Sequence, residues 1–131
     1  MKKFVLMLML IFSITCSAQV CKYKTTEFAL RVLNQNNTWS EWSDWQDSFC
    51  TVILDSKTKK ITIQSHEIQV YTVTSIPTKI IDEDNCVQTS FKVIDQDGDK
   101  GIVRFRITTN GVKQMYIDFA NVSWVYNLIN L

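Results

Sequence analysis

Histidine, proline and glycine are almost missing from this chain. In 131 residues there is one histidine, His66, one proline, Pro77, and three glycines. A single histidine leaves no Cys/His spacing that fits zinc, and no pattern places Cys50 or Cys86 beside it as a Cys–His nucleophilic pair. There is no Gly-x-Ser-x-Gly elbow and no phosphate-cradling glycine loop. No catalytic residue, cofactor site or metal site is therefore assigned. With so little Gly and Pro, the turns fall to Asn, Asp, Ser and Lys. A large charge of either sign is missing too: 14 basic residues stand against 13 acidic ones. That near-neutrality excludes the electrostatic footprint of a nucleic-acid binder, which needs many Lys/Arg–phosphate contacts.

One apolar run stands out, and it is short. Met1-Lys2-Lys3 precedes the apolar stretch 4–14, and Cys16-Ser17-Ala18 follows with small residues. This is the pattern of a secretory signal peptide cut after Ala18. The run is shorter than the roughly 20 residues a membrane-spanning helix needs, and no second one occurs. Residues 1–18 are thus read as a leader and 19–131 as a single exported domain, secreted or periplasmic, with no transmembrane segment once the leader is gone. A lipoprotein acylated at Cys16 is the alternative. Removing Lys2 and Lys3 leaves 12 basic against 13 acidic residues. Cys21, Cys50 and Cys86 remain, and export permits a disulfide. Cys50 and Cys86, each at the start of a predicted strand, are the first choice for the pair. The alternative keeps them reduced as small buried apolar residues.

What the chain does have is alternation. Residues 49–54 are apolar and β-branched, 55–60 are turn-forming, 61–65 alternate strictly, and 68–73 alternate again. Residues 23–33 read as an earlier strand, with helix as the alternative. Further strands are predicted over 86–94, 102–108, 112–119 and 122–129, with Asp97-Gly98 and Asn110-Gly111 as hairpin signals. Val103, Phe105 and Ile107 face inward, Arg104 and Arg106 outward. No helical pattern separates these segments, so βαβ units are excluded. About eight strands in an antiparallel meander bury an apolar face by curling into a small barrel or half-barrel. A sandwich of two sheets is the alternative. Asp95-x-Asp97-x-Asp99 begins like a calcium loop, but Lys100 and Arg106 stand where an EF-hand needs Gly and Glu. It is read as a solvated turn.

The most unusual stretch is Trp39-Ser40-Glu41-Trp42-Ser43-Asp44-Trp45, with a tryptophan at every third position. Strict strand alternation would send neighbouring tryptophans to opposite faces. The string resembles the Trp-Ser-x-Trp-Ser of cytokine receptors and the Trp-x-x-Trp-x-x-Trp of thrombospondin type 1 repeats, where indoles interleave with arginine. The resemblance covers seven residues. The six-cysteine framework of the repeat and the tandem-domain length of the receptors are absent, so the chain is assigned to neither. Arg104 and Arg106 alternate suitably for stacking on indoles, and Trp39, Trp42, Trp45, Arg104 and Arg106 form the candidate binding face. The overall pattern resembles small uncharacterised secreted bacterial all-β proteins, a likeness that implies a fold but no activity. The functional expectation is an exported, non-enzymatic domain that binds an unidentified ligand or protein through this face or a barrel mouth. A small secreted hydrolase and a structural or inhibitory envelope protein are the alternatives.

Overall fold

The alternation becomes ten β-strands, and among residues 20–131, which the computed structural model describes, there is no helix. The predicted leader, with its cut after Ala18 or acylation at Cys16, lies outside the described residues. The strands are β1 (Val20–Val32), β2 (Gln46–Asp47), β3 (Thr51–Asp55), β4 (Lys60–Gln64), β5 (Ile68–Val73), β6 (Thr78–Ile81), β7 (Val87–Ile94), β8 (Lys100–Ile107), β9 (Lys113–Asp118) and β10 (Val122–Asn130).

Four connections use one device. At 34–38, 82–86, 95–99 and 108–112 the first residue's amide donates to the fifth residue's carbonyl. The fourth residue's amide donates back to the first carbonyl. That fourth residue is Asn37, Asn85, Gly98 or Gly111, with φ of 63°, 61°, 84° and 85°. This is the three-residue hairpin loop that closes on a left-handed residue. Asparagine tolerates that conformation better than most side chains, which is how a chain with three glycines makes so many tight turns. Asp82 Oδ1 accepts the amides of Asp84 and Cys86 at 3.0 and 3.1 Å, and Asp95 Oδ1 those of Asp97 and Asp99 at 2.9 Å. The aspartate-rich turn thus spends its leading carboxylate on its own backbone.

The strands run in the order β10-β9-β8-β7-β5-β4-β3-β1, and β1 pairs with β10. Eight antiparallel strands therefore close into a barrel, and the sandwich alternative falls. Two strands stand outside the ring: β2 joins β1 beyond the end of β3, and β6 joins the first half of β7. The turns at 65–67, 95–99 and 119–121 mark what we call the upper end. Those at 55–60, 82–86 and 108–112 mark the lower end.

Inward residues recur at every second position, as a pleated strand requires. Tyr23, Val52, Leu54, Ile61, Ile63, Phe91, Val93, Val103, Phe105, Met115, Ile117, Tyr126 and Leu128 fill the interior. A small space of about 10 Å³ beside Leu54, Ile61, Phe91 and Phe105 has room for at most one water. These side chains pack together as one core along the barrel interior.

The expected Cys50–Cys86 disulfide is not formed; both are free thiols. Each does precede a strand, but β4 and β5 lie between β3 and β7, and the latter two run in opposite senses. Cys50 is therefore at the upper end and Cys86 at the lower. Three strand spacings alone separate them by roughly 14 Å, about twice the Cα separation a disulfide bridges.

Candidate functional site

The tryptophan stretch is a strap along the edge of β1. After the turn at Asn34–Thr38 the chain returns antiparallel, with Leu33 opposite Trp39. Ser40 donates its amide to the Val32 carbonyl at 2.8 Å and accepts the Val32 amide on Oγ at 3.0 Å. Ser43 does the same for Leu30, at 2.8 and 3.0 Å. Regular pairing resumes only at β2, where Gln46 meets Phe28. The serine hydroxyls replace backbone acceptors, and the segment advances three residues for every two of β1. This is how tryptophans three apart reach the same arginine.

That arginine is Arg31. Its guanidinium carbon lies 4.8 Å from the ring centres of both Trp39 and Trp42, a cation held between two π-faces. Trp42 meets Tyr116 edge-on at 5.9 Å, and Arg104 lies 4.4 Å over the Tyr116 ring. A ladder Trp39–Arg31–Trp42–Tyr116–Arg104 thus crosses the outer wall of β1, β10, β9 and β8. Arg31 reaches this wall because a bulge between Thr25 and Glu27 shifts the phase of β1. Beneath the strap, Ala29, Ser123 and Val125 are buried. All three tryptophans keep partial exposure: 39% for Trp39, 37% for Trp42 and 45% for Trp45.

Of the candidate face, the structure joins Trp39, Trp42 and Arg104, and the interleaving arginine is Arg31 rather than Arg104 or Arg106. Arg104 forks onto Asp118, Nε–Oδ2 2.5 Å and Nη2–Oδ1 3.2 Å, and donates to Gln88 Oε1 at 3.0 Å. Arg106 belongs to a neighbouring belt. It donates to Asp82 Oδ2 at 2.9 Å, Asp84 Oδ2 at 3.1 Å and Gln114 Oε1 at 3.3 Å. Gln114 and Asn127 carry that belt on to Glu27. The Arg106 hydrogen bond is the main cause that holds the Asp82 carboxyl below its ordinary value. Arg104 and Arg106 are thus paired with carboxylates, and Arg31 covers one face each of Trp39 and Trp42.

A second aromatic cluster, half-buried at Phe119 and Trp124, lies at the upper mouth. Phe119 stacks on Trp124, 6.0 Å between centroids and 13° between planes, and Tyr71 packs against Phe119 at 6.1 Å. Gly101 makes the arrangement possible. A Cβ there would lie 2.8 Å from both the Asp118 carbonyl oxygen and Phe119 Cε1, closer than packed atoms tolerate. A cleft of about 410 Å³ opens beside Phe119 and Trp124, edged by Asp95, Asp99, Lys100 and Asn121. A second, of about 370 Å³, shares Tyr71, Asp95 and Trp124 and adds Ser65, Glu67, Gln69 and Asp97. Gln69 ties the floor together: Tyr71 donates to its Oε1 at 2.6 Å, and its Nε2 reaches the Tyr126 hydroxyl at 3.5 Å. Burial is the main cause that pushes the Tyr71 hydroxyl up, and the Asp95 and Tyr126 charges add to it. It stays a protonated donor at neutral pH.

Phe119 and Trp124 continue the inward phase of β9 and β10 and sit half-buried where the packed interior ends. That position was not legible in the sequence, and Tyr71 was left unassigned. Arg31 was missed as well, though it stands just before the turn that brings the tryptophans back. His66 is exposed in the β4–β5 turn. Among the described residues no group of three or more His, Cys, Asp or Glu is arranged to hold a metal, and no helix is long and apolar enough to cross a membrane. Comparison with protein families, with curated proteins and with solved structures finds no match for this chain.

Proposed function

We propose that the protein is an exported, non-enzymatic binding domain that takes a small ligand at the upper mouth of its barrel. The observation that carries this reading is the stacked Phe119–Trp124 pair at the edge of an open cleft of about 410 Å³. Clefts of roughly 300–1,000 Å³ with an aromatic lining and a few polar groups suit small molecules. The two clefts bring four carboxylates, Glu67, Asp95, Asp97 and Asp99, against one ammonium, Lys100. A negative, partly apolar cleft draws cations, and aromatic faces reinforce the attraction. The favoured ligand has a flat apolar body and a cationic group.

Titration calorimetry with tryptamine, and with indole-3-propionate as its anionic counterpart, tests the proposal. Tryptamine is expected to bind, more weakly as salt rises, and Asp99→Asn or Trp124→Leu should each weaken it several-fold. Equal heats for both probes, or binding indifferent to both substitutions, would refute the reading. The outer wall is the second candidate, favoured by the exposure of Trp39, Trp42 and Trp45. Weakening by Trp45→Ala and not by Trp124→Leu would move the site there.

A further inference from the structure

Strand β6 has one neighbour. Thr78 to Ile81 pair with Ser90 to Val87 of β7, and among the described residues no strand lies on the other side. The cause is the stagger of the barrel. β5 and β7 share only two pairs, Thr72 with Ile94 and Val73 with Val93, and the β3–β4 turn reaches no further than Val73, whose amide donates to the Lys59 carbonyl. Beyond that level β7 continues downward with β6 as its only cover on that side. All four β6 residues are exposed, Ile80 at 48% and Ile81 at 70%, and Ile76 just before them at 77%.

The hydrogen-bond phase shows what the open edge offers. The Asp82 amide donates to the Cys86 carbonyl, so this is a hydrogen-bonded pair. Stepping back along the register, Ile80 with Gln88 and Thr78 with Ser90 are hydrogen-bonded pairs too. Lys79 and Ile81 therefore turn their amide and carbonyl groups away from β7, toward the empty side. Charge runs along the same edge: Lys79 lies near its start, while Glu83 follows its end between Asp82 and Asp84, which share Arg106.

We propose that this edge pairs with β6 of a second copy of this chain, antiparallel, about a two-fold axis at Ile80. Antiparallel self-pairing brings the basic start of one edge against the acidic exit of the other, which a parallel arrangement would not. The phase fixes the register. Lys79 and Ile81 of one copy exchange hydrogen bonds with Ile81 and Lys79 of the other, and Ile80 meets its own equivalent in a non-hydrogen-bonded pair. Exposed isoleucine is covered on both sides, and the strands β9-β8-β7-β6 run on into their counterparts as one sheet. The contact is isologous and closes on itself. It is also small beside the roughly 1,200–2,000 Å² of stable complexes, so the dimer is weak and concentration-dependent.

Sedimentation of the purified protein across micromolar to millimolar concentrations tests this. A monomer–dimer equilibrium is expected. Ile81→Pro removes an outward donor and no bond to β7, and should raise the dissociation constant at least ten-fold while near-ultraviolet circular dichroism stays unchanged. Should that variant misfold, Ile80→Lys sets two ammonium groups side by side at the axis and should have the same effect. The register has its own test. Cα atoms of a non-hydrogen-bonded pair stand about 4.5 Å apart, within disulfide range, so Ile80→Cys should cross-link to its own kind on mild oxidation, whereas Lys22→Cys on β1 should not. A monomer at every concentration, a dimer that survives both edge variants, or equal cross-linking by the two cysteine variants would each overturn the proposal.

Discussion

Asp82 begins the turn between β6 and β7 and serves backbone and side chain at once. One carboxylate oxygen accepts the Asp84 and Cys86 amides, and the other accepts from Arg106. The Arg106 bond is the largest cause that lowers the Asp82 pKa below its ordinary 3.8. A depressed carboxylate contributes stability that is fully present above the unfolded-state value and is lost as pH falls toward the folded one. Asp82→Asn keeps an oxygen for the turn amides but no titrating charge. The wild-type urea midpoint is expected to drop as pH falls below about 4, and the variant's should drop less over the same range. Parallel curves for the two proteins would show that the ion pair adds no acid-sensitive stability. The partnership was not readable from the sequence. Arg106 was placed outward, but its meeting with Asp82 depends on the pairing of β7 with both neighbours.

At the scale of elements, the strap decides how the tryptophans are used. An ordinary edge strand would repeat every two residues. Ser40 and Ser43 each answer one β1 residue with both an amide and a hydroxyl, and the three-residue repeat follows. Arg31 then has an indole on either side. A guanidinium at an exposed indole contributes about 0.5–1 kcal/mol. A double-mutant cycle of Arg31→Met and Trp42→Leu, read by urea unfolding, should return a coupling of about that size. Independent effects would mean that the stacking is incidental to the strap. The sequence showed the three-residue spacing, and the likeness to receptor and repeat motifs suggested interleaved arginine. It did not show which arginine, because that depends on a bulge in β1 that reverses the inward phase after Thr25.

For the whole molecule, fold class was the legible part. Periodicity gave the strands, the hairpin turns gave their consecutive order, and the lack of helical patterns excluded layered α/β architectures. The two strands outside the ring were not legible. β2 is two residues long, and β6 is separated from β5 by Pro77 and a short break. The disulfide expectation failed because local position says nothing about which end of a barrel a residue occupies. A barrel mouth was expected, but which residues line it was not legible for the same reason. Barrel topology also bears on kinetics. Ring closure joins Tyr23 to Asn130 and Val32 to Val122, across almost the whole described chain. Domains ruled by such distant pairings refold in roughly milliseconds to seconds. Stopped-flow tryptophan fluorescence should find that range, and a microsecond main phase would contradict it.

The β1–β10 seam has one more consequence. A ring sealed by its first and last strands cannot mature piecemeal. Until Val122–Asn130 is available, β1 and β9 each hold out a row of unanswered amides and carbonyls, and the seven remaining ring strands form an open sheet with two adhesive margins. The interval between the arrival of β1 and the arrival of β10 is therefore the hazardous one in this protein's life, and whatever shortens it, or shields those margins while it lasts, decides how much chain ends as barrel and how much as aggregate.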